Sequence, residues 1–590
     1  MTRLWRIATH DPARIAELQR SAGLPPVVAQ LLAARGILDP DEAREFLEPK
    51  LTGLRDPELL PGVPQAADQV RDAIRAGEKI VIYGDYDADG MTSAAILLRC
   101  LRLLGADARF YVPHRIEEGY GLNHEALRTL AGQGVRTVIT VDCGVASVAE
   151  ADTARELGLR LIITDHHKMA DRLPDAAAIV HPQLPTTDGG AYPFFGLCGA
   201  AVAFKLAWAL CQRSCDGHGA EGPKRVNGPM RRFLLQATGL AAIGTVADVV
   251  PLIDENRILV RHGLAALRHS PVVGFAALEQ VAQLTKKPEL QGEDLGFSIA
   301  PRLNAAGRLG QAELGVELLT TDDPARAAEL AKYVDELNET RKSVERSVLL
   351  AARKQAKERF DPDNDPALVL ADRDWHPGVI GIVAGKLAEQ YGKPVVVASL
   401  DKLGAKPAIG SGRSVPGFDL AAAFNAAGEH LVSHGGHAAA AGLRVEESQL
   451  DAFRAAFCAH AAERLGDNGA LLELAIDAEA PLSSLTHQIV TQIERLAPFG
   501  NGNLRPTLCA TGVRLAGPPR RMGGAGRHLS VDLEQAGVKL RAVAFGAGDR
   551  EEELLRLDGP IEIAFRPVIN TFRGYRTVEM HLTDWKAETR

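Results

Sequence analysis

The chain contains no apolar run near the roughly 18 residues that a membrane-spanning helix needs. Its opening residues, MTRLWRIATHDP, lack the apolar core of a secretory signal, so the cytoplasm is the expected location and no membrane is expected as a partner. Cysteine is scarce: seven residues, at 100, 143, 198, 211, 215, 458 and 509, without the spacing of a disulfide framework. Cys211, Cys215 and His218 lie close together in a Gly-rich stretch, but no fourth zinc ligand stands at a suitable spacing, and the segment reads as a loop. An excess of positive charge is also missing. Lys and Arg number 67 against 75 Asp and Glu, a net charge of -8. That excludes a globally basic nucleic-acid binder and leaves room for a local positive groove. What remains is 590 residues, 46% hydrophobic and 24% charged, the composition of a folded, soluble protein of three or four domains.

The most informative stretch is KIVIYGDYDADGMTS, residues 79–93. Ile80 to Tyr83 read as a short buried strand, and Asp85, Asp87 and Asp89 follow at alternate positions before Gly90. A helix is expected from Met91 onwards. In an extended segment residues i, i+2 and i+4 share one face, so the spacing predicts three carboxylates crowded at a strand end. Such carboxylates repel unless cations neutralise them. An acidic surface turn would use the same residue types; the strand leading into the run and the acid and histidine further along favour a metal site.

Strand signals recur at Lys79–Tyr83, Ala108–Val112, Thr137–Val141, Leu159–Thr164 and Ala177–Val180, with helical stretches such as Thr92–Leu104, His124–Ala131 and Val148–Leu157 between them. This alternation predicts a parallel sheet covered by helices on both faces, and ligands of such sheets bind beyond the carboxyl ends of the strands. Asp142 follows one strand in VITVDCG, and Asp165, His166 and His167 follow another in LIITDHHK. Asp248 closes an apolar helical run in GTVADVVPL. Each alone reads equally well as a turn, a cap or an exposed histidine. Together they place acid and imidazole at one edge of one sheet. Oxygen-rich ligation with one or two imidazoles suits manganese or magnesium better than structural zinc. The surplus of carboxylates predicts two ions bridged by a shared Asp, the arrangement used for in-line displacement at phosphorus.

Residues 322–360 are almost free of Gly and Pro and predict a long helix. Its basic run (Arg341, Lys342, Arg346, Arg353, Lys354, Lys357, Arg359) fits a solvated face and a DNA-facing stripe equally. A second α/β unit follows, with strands at Ala367–Leu370 and Pro394–Ser399. IGSGRSVPGFDL predicts a tight turn baring backbone N–H groups beside Ser411, Arg413 and Ser414, suited to a phosphate. The glycines of His434-Gly-Gly-His437 let the backbone approach a ligand, and a plain Gly-rich hairpin reads the same way. His376 precedes PGVIG in the same unit. From about Leu471 the pattern changes to short alternating strands: LLELAID, TLCATGVRL, HLSVDLE, VKLRAVAFG, IEIAFRPVI and TVEMHLTDW. They predict a small barrel. Arg520, Arg521, Arg527, Arg573 and Arg576, with Phe572 and Tyr575 among them, fit a groove that tracks a nucleic-acid strand. A barrel that binds protein is the alternative.

The set GDYDADG, VDCG, TDHH and TVADVVPL resembles the four motifs of the DHH phosphoesterase superfamily, and GDYDADGMTS resembles its RecJ branch. VPHRIEEGYGL (112–122) and IAPRLNAAGRLG (299–310) support that branch; the first seventy residues and the segment 215–228 are largely not covered by the likeness, and Leu504 stands where proline is expected. The resemblance implies a fold of a DHH domain (71–320), a connecting helix (321–360), a smaller DHH-associated domain (361–465) and a C-terminal OB-fold barrel (470–590); the N-terminal segment (1–70) reads as helical from short helical patterns broken by Pro25, Pro40 and Pro61 to Pro64. It implies a 5′→3′ exonuclease for single-stranded DNA in repair and recombination, releasing mononucleotides with two manganese or magnesium ions. Asp87, Asp89, Asp142, His166 and Asp248 are the implied ion ligands, with Asp142 bridging. Asp85 would ligate or orient water, and His167 would assist the leaving oxygen. Arg115, Tyr120, Arg302, Asn304 and Arg308 would hold the strand, with His376, His434 and His437 contacting substrate from the associated domain. A monomer, a single-strand-binding protein and a helicase complete the implied setting. The rival readings are a related phosphodiesterase for short oligonucleotides or cyclic dinucleotides, and a non-catalytic DNA-binding scaffold.

Overall fold

The computed structural model describes residues 3–114, 118, 121–186, 188–215, 226–361, 364–465, 473–557, 559–572 and 575–588. The chain forms two compact units. One comprises Arg55–Val250 and Asp254–Leu471; the other comprises Met1–Leu54, Pro251–Ile253 and Leu472–Arg590.

The first unit begins with a five-stranded, wholly parallel sheet in the order Ala108–Tyr111, Ile80–Gly84, Thr137–Val141, Arg160–Thr164, Ala178–Val180. The three central strands are buried almost throughout, as expected for a sheet covered on both faces. Val81, Tyr83, Val138, Leu161 and Ile163 form a core with Leu127, Leu130, Ala151 and Ala154 from the helices over that face. The helix Ala88–Leu103 packs against Gly199–Arg213 and Gly228–Ala247. The chain turns in opposite directions from Ile80–Gly84, to Ala108–Tyr111 on one side and Thr137–Val141 on the other, and a crevice opens at such a switch point. Asp85 and Asp142 follow directly on the two strands that flank it.

The helix Pro324–Arg359 runs for 36 residues, about 54 Å at 1.5 Å per residue. Several of its cations are engaged locally. Arg341 bonds Glu345 and Asn338, Lys342 pairs with Glu339, and Arg353 bonds Gln390. Beyond it lies a mixed five-stranded sheet in the order Ser433–Gly436, Ala440–Val445, Ala408–Arg413, Val395–Ser399, Leu368–Asp372. The expected GSGRS turn is therefore a correction: Gly410 to Arg413 belong to a strand paired on both edges. Its peptide groups are spent in the sheet and are not offered to a ligand. The glycines are needed for packing, since a Cβ on Gly412 would lie 2.7 Å from a Leu420 methyl.

In the second unit five strands close into a ring. Leu508–Leu515 pairs with Ile561–Phe572, which pairs with Tyr575–Ala587, then Val538–Ala544, then His528–Gln535, which returns to Leu508–Leu515. This is the expected barrel. LLELAID is not part of it: Glu473–Ile476 pairs in parallel with Leu4–Ile7, a strand inside the segment that the sequence reads as helical. Helices Pro12–Ala22, Pro26–Ala33 and Pro40–Leu47 begin at prolines, where the missing N–H costs nothing. Their Leu18, Val28, Leu31, Leu32 and Leu47 share one core with Leu482, Ile493, Leu508, Val531 and Phe565 of the barrel region. The two ends of the chain thus fold as one body. No helix among the described residues is long and apolar enough to cross a membrane.

Candidate metal centre

The aspartates of GDYDADG are arranged otherwise than an extended segment predicts. The helix starts at Ala88, so Asp85 lies in the loop after the strand, Asp87 is the N-cap and Asp89 is in the first turn. Asp87 Oδ1 accepts from the Asp89 and Gly90 backbone N–H groups, at 2.9 and 3.0 Å. Capping fixes this loop and turns the Asp89 carboxylate inward. There Asp89 accepts from Gly199 N at 2.7 Å and Ala200 N at 2.9 Å, the first peptides of the helix Gly199–Arg213, whose dipole favours an anion.

Asp142 immediately follows its strand with φ of 61°, a strained value for a residue bearing a Cβ. His166 Nε2 sits among three carboxylates: 3.1 Å from Asp142 Oδ1, 3.6 Å from Asp248 Oδ2 and 3.8 Å from Asp89 Oδ2. Asp248 arrives from the C-cap of Gly228–Ala247, so with Asp89 two of the three carboxylates come from helix ends and not from strand ends. His167 Nδ1 is 2.7 Å from Asp165 Oδ1, which also accepts from the backbone N–H groups of both histidines. Val145 N donates to the other Asp165 oxygen at 2.9 Å. Asp165 therefore orients His167 and is saturated by doing so.

Among the described residues three groups of donors have their atoms within 4.8 Å of one another: Asp85, Asp87 and Asp142; Asp89, His166 and Asp248; and Asp142, His166 and His167. Asp142 and His166 each occur in two of them. Burial, with the neighbouring Asp87, raises the Asp89 carboxyl to about 6. Burial, with Asp89 and Asp87, raises Asp248 to about 8, and burial with Asp89 pushes Asp142 well above the usual carboxylate range. Burial, together with the adjacent His167, lowers His166 to about 3, so its imidazole is neutral and offers a lone pair. Burial opposes charge on His167 as well, but the bond to Asp165 prevails and raises it to about 9. Packed acids around a neutral imidazole form an oxygen-rich donor set that fits hard divalent cations.

The remaining candidates are dispersed. Asn304 Oδ1 accepts from Ala88 N at 2.8 Å and so braces the aspartate loop. Arg302 bonds Asp335 and the Ser298 carbonyl, and Arg308 donates to the Gly378 carbonyl at 3.0 Å. His376 Nδ1 accepts from Gly378 N. Arg413 Nη1 bonds Ser411 Oγ at 3.1 Å and the Gly412 carbonyl at 2.7 Å, and Ser414 Oγ donates to the Phe418 carbonyl. His434 and His437 are exposed on the hairpin of Ser433–Gly436 and Ala440–Val445. Arg115, Tyr120, Arg573 and His218 lie outside the described residues, as does the Phe572 side chain. On the barrel Tyr575 is 78% exposed, Arg520 and Arg576 are exposed, Arg521 pairs with Glu551, and Arg527 donates to the Gly524 carbonyl. Sequence reasoning missed Phe545, 57% exposed and held edge-on between His528 and His581. It follows a strand of ordinary alternation, and no local signal marks it.

A doubly wound parallel sheet with a carboxylate–imidazole cluster at its switch point, followed by a second α/β domain and a barrel, is the architecture of a DHH-type phosphoesterase. Family models for the DHH family N-terminal domain, the DHHA1 domain and the RecJ OB domain match residues 79–237, 364–463 and 476–584. The chain is 36% identical over 583 residues to the single-stranded-DNA-specific exonuclease RecJ of Bacillus subtilis, covering 98% of this chain and 70% of that protein. The crystal structure of Thermus thermophilus RecJ in complex with Mn2+ superposes with a TM-score of 0.82 at 32% identity, covering 100% of this chain and 80% of that one. The Mg2+ complex of the same protein gives 0.76 at 31%, covering 100% and 79%. The chain belongs to the RecJ family.

Proposed function

We propose that this protein is a single-stranded-DNA-specific exonuclease, degrading from the 5′ end at two manganese or magnesium ions. Asp87, Asp89, Asp142, His166 and Asp248 would hold the ions, with Asp142 the candidate for a shared ligand and Asp85 available to ligate or to orient a water. The observation that carries this reading is the overlap of the donor groups, which share Asp142 and His166. Two adjacent ions with common ligands need such an overlap. When bound, the ions polarise the phosphodiester and make water acidic enough to attack near neutral pH. His166 offers Nε2 as a neutral ligand. His167, protonated and oriented through Nδ1 by Asp165, presents its other nitrogen to the leaving oxygen. The barrel, with Tyr575 and Phe545 exposed, supplies stacking for a long strand and separates this reading from one confined to dinucleotides.

The 5′ end is read in the associated domain. A Cβ on Gly381 would lie 2.9 Å from Ser411 Oγ and 3.0 Å from Arg413 Nη2. The guanidinium therefore rests over the first turn of the helix Ile380–Tyr391. A helix N-terminus and an arginine fork together suit a terminal phosphate. Arg302, Asn304 and Arg308 would hold the strand, as would Arg115 and Tyr120, which lie outside the described residues, and His376, His434 and His437 would contact it. The protein acts as a monomer in the cytoplasm, a setting that suits its seven free cysteines. Single strands are supplied by unwinding, so a helicase and a single-strand-binding protein are the partner classes.

The test is initial rates on long 5′-labelled single strands, duplexes and dinucleotides, with and without Mn2+. We expect metal-dependent release of mononucleotides from single strands alone. Arg413→Ala should narrow the advantage of 5′-phosphorylated over 5′-hydroxyl strands. Digestion from the 3′ end, or preference for dinucleotides, would overturn the proposal.

Metal should also govern stability. Asp89 and Asp248 are raised in the folded protein, so their contribution is complete below the ordinary carboxylate pKa and is lost as pH rises towards about 6 and 8. His167, also raised, acts in the same sense towards about 9. His166 is lowered, so its opposing contribution is finished above about pH 6.5. Between pH 6.5 and 8 the metal-free protein should lose stability. Saturating Mn2+ should raise Tm by more at pH 8 than at pH 6.5. At a hundredfold excess over Kd the gain is about 2.7 kcal/mol, roughly 5–10 °C for a domain of this size. Thermal unfolding of the metal-free and loaded protein at the two pH values measures this, and an equal shift at both would show that these acids do not meet the ions.

A further inference from the structure

Phe297 is 79% exposed, although Leu295 and Ile299 on either side are fully buried. Leu295–Ile299 forms one π turn, with the Ala300 N–H donating to the Leu295 carbonyl five residues back. Single π turns are rare and are found mostly at functional positions. Here the widened turn keeps Leu295 and Ile299 in the core and leaves the aromatic ring between them in water. Leaving a ring of that size exposed forgoes the stabilisation that its burial would give.

The turn is anchored to the metal centre from two sides. It leads directly into the helix Ala300–Arg308, whose Asn304 accepts from Ala88 N in the aspartate loop. On the other side a Cβ added to Gly296 would lie 3.4 Å from Val246 Cγ1, and Val246 stands two residues before Asp248. Val249, directly after Asp248, is itself 64% exposed, with φ of 60°. Val249 is thus an exposed apolar rim directly beside Asp248 of the acid cluster.

We infer that Phe297 is a base-stacking contact for the single strand at the mouth of the metal centre. The inference rests on the reading of this chain as a single-strand exonuclease. A strand whose phosphodiester reaches the carboxylates carries its bases past this rim, and an unpaired base offers a free π face. A duplex does not, because each base is already stacked on both sides. The contact would therefore add to the preference for single strands, which the ions alone do not confer.

The test combines a side-chain series with removal of the base. Wild type, Phe297→Ala, Phe297→Trp and Phe297→Leu are assayed on a long single strand and on versions carrying one abasic site, moved one position at a time from the 5′ end. Phe297→Ala should raise KM about tenfold with an unchanged Tm, since the ring is exposed. Trp should restore KM and Leu should not. One abasic position should raise the wild-type KM by a similar factor and have no further effect in Phe297→Ala. Rescue by Leu, or the same abasic profile in wild type and Phe297→Ala, would overturn the inference; a ring that docks a protein gives that second result. A wild type that leaves single strands intact would overturn the functional reading and this inference together.

Discussion

Asp142→Ala should abolish metal-dependent hydrolysis, by about a thousandfold or more, equivalent to ~4 kcal/mol of transition-state stabilisation. Asp142 is the carboxylate common to two of the donor groups, and its Oδ1 is 3.1 Å from His166 Nε2. Its loss removes charge that the ions require and the geometry that spaces them. The fold should survive. Burial and the repulsion of Asp89, Asp87, Asp85 and Asp248 push this carboxyl well above its ordinary range, so removing it relieves strain in the metal-free protein. The expected signature is a metal-free Tm at or above that of wild type, a Tm that no longer responds to Mn2+, and no turnover. A folded Asp142→Ala enzyme with wild-type rates would remove Asp142 from the centre.

Gly244→Ala should be nearly as damaging, although the substitution adds a single methyl group to a helix. A Cβ there would lie 2.4 Å from Asp89 Oδ1, 2.5 Å from the Ala200 Cβ and 2.7 Å from Thr92 Oγ1. The Asp89 carboxylate cannot retreat, because Gly199 N and Ala200 N hold its two oxygens. Either the helices separate or the carboxylate moves. Overpacking of this kind costs about 1–3 kcal/mol, and a displacement of about 1 Å at a reacting centre costs on the order of a hundredfold in rate. The half-saturating Mn2+ concentration should rise with the loss of rate. Gly132→Ala is the control, since a Cβ there meets nothing within 4 Å. Wild-type activity and Mn2+ dependence in Gly244→Ala would show that Asp89 has room to move and does not set the ion position.

These two predictions differ in where their grounds lie. Asp142 was legible from the sequence once VITVDCG, which alone reads equally well as a turn, was set beside the other acid and imidazole groups that follow buried strands. Gly244 was not, since a glycine in an apolar helix looks like any other until the partner helix is seen. The aspartates of GDYDADG fall between these cases. Their chemistry was evident, but an extended run was expected where Asp87 caps a helix and Asp89 points to the N-terminus of another. Capping depends on where a helix begins, and a boundary shift of three residues reverses the side to which a side chain turns. GSGRS was misread for a related reason. Glycines allow a turn, but here they serve a strand packed closely against Leu420 and Leu443.

The N-terminal segment shows the same limit at larger scale. Its helical patterns were legible, but not the surface that covers these helices, which belongs to residues more than 400 positions away. Removing the barrel at residue 471 would therefore strip that core as well, and point variants are the cleaner probe of strand binding. By itself the sequence determined the local chemistry: acid and imidazole after buried strands, the alternation that makes a parallel sheet, and the short strands of a barrel. These follow from side-chain period and residue type, which act over a few neighbours. Only the tertiary structure decided which carboxylates come within reach of one another, how Asp165 turns His167, which rings stay exposed and what the first fifty residues pack against. Those properties depend on contacts between segments far apart in the chain, and such contacts are selected by the closeness of packing that every element reaches at once.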